Sequence, residues 1–202
     1  MSFIGILIIQ FFALLIPGPD FFLVSRTGIT GRVVDVCKVV AGICAGACIW
    51  MVLSILGLHI LFQTYPLLNQ LVMLGGGCYL MYLAYGIVKR SSQEIGSVVY
   101  KEKYYFFKGV MCNLSNPKAI IYFASIFSVL PLGSDIGHIV LLIVSLLIES
   151  FLCFVGLGII FSHPAIKKGY QKYNKKIDFI SAMIFVFFAL LLWIKFILSF
   201  GG

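Results

Sequence analysis

Charge is what this sequence has least of. Only 11% of its 202 residues are charged, whereas 61% are hydrophobic. Soluble domains contain about 25% charged and about 45–50% apolar residues. A chain of this size cannot bury so much apolar surface inside itself, because a small domain leaves a large share of its surface facing the solvent. The scarcity of charge excludes a disordered chain and an ordinary soluble domain, and it predicts an integral membrane protein.

Sequence patterns of enzymes and metal sites are also missing. The chain contains no phosphate-binding loop, no nucleophile elbow and no H-E-x-x-H pattern. None of the six cysteines forms a C-x-x-C pair, and most lie in apolar runs, so we interpret them as small buried side chains. The first residues show neither a basic stretch nor a cleavage site, and we expect the first helix to be retained. The sequence therefore predicts no enzyme, no cofactor and no metal.

The apolar runs predict six transmembrane helices in a single domain over residues 1–202. A spanning helix needs about 20 residues, and six of them leave only short loops. The runs do not alternate apolar and polar residues, so they indicate helices and not the strands of a membrane barrel. The predicted helices are about Phe3–Ser25, Val39–Phe62, Leu67–Val88, Tyr105–Leu130, His138–Phe161 and Ile177–Ser199.

The basic residues orient the predicted helices. All except Lys118 and Lys195 lie around the first, third and fifth loops. Short loops rich in lysine and arginine stay in the cytoplasm, so both termini are predicted outside it. The net charge of +8 is then a topology signal beside anionic lipid, and we do not expect nucleic-acid binding. The residues concerned are Arg26, Arg32, Lys38, Lys89, Arg90, Lys101, Lys103, Lys108, Lys167, Lys168, Lys172, Lys175 and Lys176.

Two of the predicted helices are interrupted in similar ways. Proline removes a backbone donor and glycine lowers the helix preference. Bare backbone in hydrocarbon is so costly that such breaks persist only where protein or a watery cavity covers them. We therefore expect the breaks in the first and fourth helices to be covered by protein or to face a watery cavity. The interrupting residues are Pro17, Gly18 and Pro19 in the first helix, and Asn113, Asn116 and Pro117 in the fourth.

A charged residue follows each break directly. Asp20 and Lys118 would each begin a resumed half-helix, and a charge at this depth costs about 2.5–3.5 kcal/mol on insertion scales. One interpretation is an Asp20–Lys118 salt bridge that only locks the two helices together. The other is a cradle for a zwitterion, with Lys118 and the helix terminus holding a carboxylate and Asp20 holding an amino group or relaying a proton. Glu149 in the fifth helix is interpreted as a packed, hydrogen-bonded or protonated acid, and a proton-coupling role for it stays open.

The two broken helices also suggest an internal repeat. Residues of about 1–90 and 105–202 each hold one broken helix followed by two apolar ones. Three helices per half make the copies run oppositely through the bilayer, as in the inverted repeats of many secondary transporters. Gly42 and Gly46 form G-x-x-x-G in the second helix, a spacing that permits close helix packing.

These residues carry a family resemblance. Pro17-Gly18-Pro19-Asp20, Gly31-Arg32, and then Gly42 and Gly46 resemble the first-half signature of the lysine exporter family, and specifically of its homoserine/threonine-type efflux branch. Residues Asn113-Leu114 and Asn116-Pro117-Lys118-Ala119 resemble its second-half signature. The resemblance implies a bacterial inner-membrane exporter of amino acids or close derivatives, driven by proton antiport and forming a homodimer.

Three other functions are compatible with parts of the sequence. A cation exporter of the same superfamily would need more intramembrane carboxylates or thiolates than Asp20 and Glu149. A membrane oxidoreductase that passes electrons between thiols would need a reactive cysteine pair near the breaks, where only Cys112 lies. A non-transporting assembly protein would not need charges beside two helix breaks. We therefore expect a secondary transporter in which the broken helices rearrange around Asp20 and Lys118, with Asp20 or Glu149 carrying the proton.

Overall fold

The computed structural model describes residues 3–57, 64–91, 104–128 and 136–199, and these residues are helical with short connections. The predicted ends at Phe62 and Leu130 and the basic residues Lys101 and Lys103 lie outside the described ranges. The helices are α1 (Phe3–Leu15), α2 (Pro19–Thr30), α3 (Val33–Ile55), α4 (Pro66–Ser91), α5 (Tyr105–Leu114), α6 (Pro117–Ser128), α7 (Ile136–Phe161) and α8 (Pro164–Leu198).

Four helices are long and apolar enough to cross a membrane. They are α3, the segment Leu67–Lys89 of α4, α7, and the segment Lys175–Leu198 of α8. Helices α1 and α2 meet the same criteria only together, as one span bent by 61° at its break. The described residues thus form an all-helical protein with four or five membrane spans. The predicted fourth helix is divided into α5 and α6, which are separately shorter than a bilayer-crossing helix needs.

The predicted loop after the first helix is wrong. Residues 26–30 continue α2, which ends at Thr30 and not at Ser25, and α3 begins at Val33 and not at Val39. Two hydroxyl side chains in this stretch and that of Ser25 just before it donate to the carbonyl oxygen four residues earlier, so their polar groups are satisfied inside the helix. A polar composition therefore did not require a turn here. The bonds run from Ser25 to Phe21, from Thr27 to Leu23 and from Thr30 to Arg26.

The predicted start of the last helix is also wrong. Helix α8 begins at Pro164, well before Ile177, and includes the lysine-rich stretch that was predicted as a loop. His163 caps this helix, since its Nδ1 accepts a hydrogen bond of 3.3 Å from the Ala165 N–H. Pro164 takes the first helical position, where its missing N–H costs nothing. The backbone leaves helical geometry at Tyr173, so the polar and the apolar parts of α8 meet at a kink.

Helix α3 lies at the centre of the bundle. It packs against α5, α6 and α7, while α2 packs against α7 and α4 packs against α8. Glycines make the α3–α5 approach very close. A Cβ atom on Gly42 would overlap the Phe106 carbonyl, and one on Gly46 would lie 3.0 Å from Asn113. A Cβ atom on Gly109 of α5 would in turn overlap the Val39 carbonyl. This close packing fixes the position of α5, which leads into the second helix break.

Replacing Gly42 by alanine should therefore destabilise the protein. The new methyl group meets backbone, which cannot move aside as a flexible side chain can, so α3 and α5 must separate. Overpacking of this kind costs about 1–3 kcal/mol. Thermal unfolding of the purified protein in detergent measures the effect. The matched control is Gly75→Ala in α4, where a Cβ atom meets nothing within 4 Å. Equal melting temperatures for the two variants would contradict the packing role of Gly42.

Candidate functional site

The two helix breaks bring Asp20 and Lys118 to equivalent positions. Pro19 is the first residue of α2 and Asp20 the second, and Pro117 and Lys118 occupy the same places in α6. The exposed N–H groups and the dipole at a helix N-terminus favour a negative charge. Asp20 is therefore well placed as an anion. Lys118 is not, and its charge needs other compensation.

The second break provides the hydrogen bonds for Asp20. Asn113 and Asn116 each donate a side-chain N–H to Oδ2 of Asp20, at 2.9 and 2.8 Å. Asp20 is only 5% exposed, and both asparagines are 3% exposed. A buried carboxylate needs such donors because a charge without them is very costly to desolvate. Oδ1 of Asp20 and Oδ1 of Asn113 have no hydrogen-bond partner among the described residues. The site therefore contains two buried acceptors that could bind a donor.

The first break in turn binds Lys118. Its Nζ donates a hydrogen bond of 2.7 Å to the carbonyl oxygen of Ile16, at the end of the α1 segment. Within the described ranges Lys118 forms no ion pair with Asp20, so the predicted salt bridge is not present in this conformation. Asn116 contacts both charged residues. Its side-chain N–H donates to Asp20, and its Oδ1 accepts from the Lys118 backbone N–H at 3.0 Å. Each break thus stabilises the other.

A cavity lies where the two breaks meet, with about 500 Å³ of empty space that is partly open to the surroundings. The wall is apolar, with charged and amide side chains grouped at one part of it, which is the composition of a site that orients a small polar ligand. The polar and charged lining residues are Gln10, Asp20, Asn113, Asn116, Lys118, Tyr122 and Ser150.

Three of these lining residues were not predicted from the sequence. Gln10 of α1 is 1% exposed and donates to the Leu146 carbonyl at 2.7 Å and to the Ser150 hydroxyl at 3.0 Å. Tyr122 of α6 donates to Oε1 of Gln10 at 3.2 Å. These bonds connect α1, α6 and α7 across the cavity. The signal available in the sequence was Gln10 itself, an amide alone in an apolar helix, where an unsatisfied polar group is costly.

Of the remaining predicted residues, Gly18 also lines the cavity, and the others are not among its described lining residues. Glu149 is half-buried in α7 and is not among the described residues that line the cavity, although the next residue, Ser150, is. Gly18 lies against the Lys118 side chain, where an added Cβ would be 3.6 Å from Cδ. Pro17 is exposed and precedes the bend. Within the described ranges no three His, Cys, Asp or Glu side chains are grouped to hold a metal ion.

The chain is similar to known proteins over almost its whole length. Residues 11–195 match the family described as LysE type translocator. The chain belongs to this family. It is 32% identical over 199 residues to the threonine efflux protein of Escherichia coli K12, with 94% of this chain and 96% of that protein covered. No solved structure is significantly similar to the translocator.

Two further relatives agree with this assignment. An uncharacterized membrane protein of Haemophilus influenzae is 34% identical over 202 residues, covering 94% of each chain. The leucine efflux protein of Klebsiella pneumoniae is 29% identical over 137 residues, covering 63% of the translocator and 62% of its own length. The resemblance to the lysine exporter family is therefore confirmed. The translocator is a multi-pass membrane protein of an amino-acid efflux family and not an enzyme.

A double-mutant cycle should show that Asp20 and Asn116 stabilise each other. Asn116→Ala removes a hydrogen bond to a buried carboxylate, an interaction worth about 1.5–3 kcal/mol. It also removes the hydrogen bond by which Asn116 caps α6. The double-mutant cycle with Asp20→Ala cancels the free energy of this lost cap. We expect a coupling of about 0.5–3 kcal/mol in the unfolding free energy, measured in detergent. Thr30→Ala is the control partner, because its hydroxyl bonds only within α2. A coupling no larger than that of the Asp20–Thr30 cycle would show the hydrogen bond to be unimportant.

Proposed function

We propose that this translocator is a secondary transporter that exports a small amino acid or a close derivative from the cytoplasm. The observation that carries the proposal is the cavity at the meeting of two broken helices, with one carboxylate and one ammonium in its wall. Charged groups inside a membrane protein usually face a substrate or an ion pathway. Its relatives include threonine and leucine efflux proteins, and this favours a neutral amino acid as the substrate.

The cavity matches the two ends of a zwitterion. Oδ1 of Asp20 and Oδ1 of Asn113 are acceptors for the substrate ammonium group. Lys118 is the donor for the carboxylate, and to bind it the lysine would exchange the Ile16 carbonyl for the substrate. The backbone N–H of Lys118 is already capped by Asn116, so the carboxylate relies on the ammonium and less on the helix terminus than we expected. Apolar wall residues such as Phe123 and Phe154 would contact the substrate side chain.

We also propose six membrane spans built as two inverted repeats. The helix contacts support this architecture because the second helix of each half packs against the broken helix of the other half. Helix α3 packs against both parts of the second broken helix, α5 and α6, and its counterpart α7 packs against both parts of the first, α1 and α2. The pairs α3–α7 and α4–α8 join equivalent helices of the two halves. A two-fold relation between the halves produces this pattern of contacts.

The proposed location is the bacterial inner membrane, with both termini outside the cytoplasm. Lys167 of α8 donates to the carbonyl of Gly31, so the basic ends of α2 and α8 lie together. This grouping supports the positive-inside orientation. A homodimer stays a proposal, and its contacts must lie elsewhere than Gly42 and Gly46, because these glycines pack inside the chain.

Proton antiport is proposed as the driving force, with Asp20 as the carrier. Asp20 lies in the cavity wall, so its carboxylate can bind either the substrate ammonium or a proton, but not both. This competition is what antiport needs. Glu149 is the alternative carrier; it is not among the described residues that line the cavity, although Ser150 beside it is.

Removing either charge should abolish export. In cells that lack their own exporters and are loaded with threonine-containing or leucine-containing dipeptides, Asp20→Asn and Lys118→Ala should lower the efflux of the liberated amino acid by about tenfold or more, the effect of losing one charge-assisted hydrogen bond. The control is Lys195→Gln, because Lys195 is exposed near the end of α8. Efflux from wild-type cells no faster than from cells without the protein would overturn the function. Undiminished efflux from both variants would overturn only the site.

The carrier can be identified in proteoliposomes. We expect Asp20→Asn to lose the acceleration of uptake by an imposed pH gradient, because the amide cannot bind and release a proton. Glu149→Gln should keep this acceleration. Labelled amino acid and a pH-sensitive dye measure the two fluxes together. A gradient response that survives in Asp20→Asn and disappears in Glu149→Gln would transfer the role to Glu149.

A further inference from the structure

A second cavity of about 450 Å³ lies between α2, α4, α5 and α8. It begins one helical turn beyond Asp20 along α2, at Leu23, and continues to Arg26, about 9 Å from Asp20 along the helix axis. The wall combines two cationic side chains with a tyrosine and apolar residues. Its described lining is Leu23, Arg26, Tyr82, Leu83, Gly86, Ile87, Lys108 and Phe185.

The charges of this cavity suit an anion. Arg26 and Lys108 are in the wall, and no acidic residue is among the described lining residues. Asp178 of α8 lies behind the wall and forms an ion pair with the Arg26 guanidinium. The side chains of Arg26 and Asp178 are only 15% and 4% exposed, so the pair is largely removed from solvent. A guanidinium presents several donors in a planar fork and can pass from one carboxylate to another.

The Arg26–Asp178 pair closes one end of the bundle. Its two partners lie on different helices, so it ties α2 to α8. The same half of the bundle is closed by further contacts of α2 with α3, α5 and α7, including the packing of Gly28 on the Gly158 backbone. The first cavity instead extends along α1 and α6, in the other half. These contacts hold the helices together at the basic end of the bundle, which the proposed orientation places at the cytoplasm.

We propose that the second cavity is a loading site for the carboxylate of the cytoplasmic substrate, and that Arg26 is its ligand. A carboxylate that enters the cavity takes over the guanidinium from Asp178. The release of Asp178 unties α2 from α8, and α2 can then move and open the path to Asp20. Lys108 adds positive charge to the same wall. The inference rests on the proposed export of amino acids, and it assigns the chemistry that opens the path from the cytoplasm.

A charge swap separates a binding role of Arg26 from a purely structural one. The double variant Arg26→Asp with Asp178→Arg can re-form the ion pair, but it removes the guanidinium from the cavity wall, since Asp178 is not a lining residue. Uptake of threonine and leucine into inside-out vesicles is measured, so that the cytoplasmic face meets the substrate. Arg26→Gln and the swap should each raise the KM by about tenfold or more. Asp178→Asn should lower the KM, because it removes the competing carboxylate.

The control is Lys89→Gln, whose ammonium lies over the Tyr85 ring near the same cavity but outside its described lining. It should keep the wild-type KM. A swap variant with wild-type KM would show that the pair is only a structural lock and would overturn the proposal. The proposal also fails if Asp178→Asn raises the KM as Arg26→Gln does.

A direct binding measurement keeps the loading site testable if the export function fails. Threonine and acetate should raise the melting temperature of the purified protein in detergent, whereas threoninamide, which lacks the carboxylate, should not. Arg26→Gln should reduce this stabilisation to the part that the first cavity contributes, and Lys89→Gln should keep it in full. Stabilisation by a short-chain phosphatidylglycerol but by neither carboxylate would identify a lipid phosphate as the ligand and overturn the loading site. Absence of transport by the wild type, with stabilisation intact, would overturn the export function alone.

Discussion

The buried carboxylate of Asp20 and the two asparagine amides that bind it are the interaction on which the rest of the structure depends. A helix broken inside a bilayer exposes backbone groups that lipid cannot satisfy. Here Asn113 and Asn116 of the second break donate to Asp20 at the first. Lys118 of the second break donates to the Ile16 carbonyl of the first. The close packing of Gly42 and its neighbours against α5 serves this contact, because it holds the second break beside the first.

The position of the site could be predicted from the sequence, but its full membership could not. Proline and glycine beside a charge are rare inside apolar helices, so Asp20 and Lys118 were visible without a structure. Gln10 and Tyr122 were not, because a single polar residue in an apolar helix does not say which neighbour it faces. Their bonds arise from the rotation of α1 and α6 relative to α7, which the packing of the bundle determines.

The errors in helix boundaries have one physical cause. Hydropathy measures preference for lipid, and helix formation depends on backbone hydrogen bonding, so the two coincide only inside the bilayer. The stretch 26–30 is polar and helical because its hydroxyl groups bond within α2. The lysine-rich start of α8 is helical because His163 caps it and Pro164 fits the first turn. Both errors affect the basic end, where the helices leave the apolar region.

The reciprocal bonds between the breaks also constrain how the protein can move. Asp20 begins α2 but is bound by Asn113 and Asn116, and Lys118 begins α6 but is bound to the end of α1. In the proposed binding mode the substrate carboxylate displaces the Ile16 carbonyl from Lys118, while its ammonium binds Oδ1 of Asp20 beside the asparagine bonds, so one substrate contacts both breaks. Since α7 packs against the first broken helix and α3 against the second, a movement at the breaks would change contacts in both halves. A ligand shifts a conformational equilibrium only through such differential contacts. In the proposed mechanism the residues that bind the substrate are therefore also the residues that hold the two broken helices together, so binding and movement would be coupled directly at the breaks.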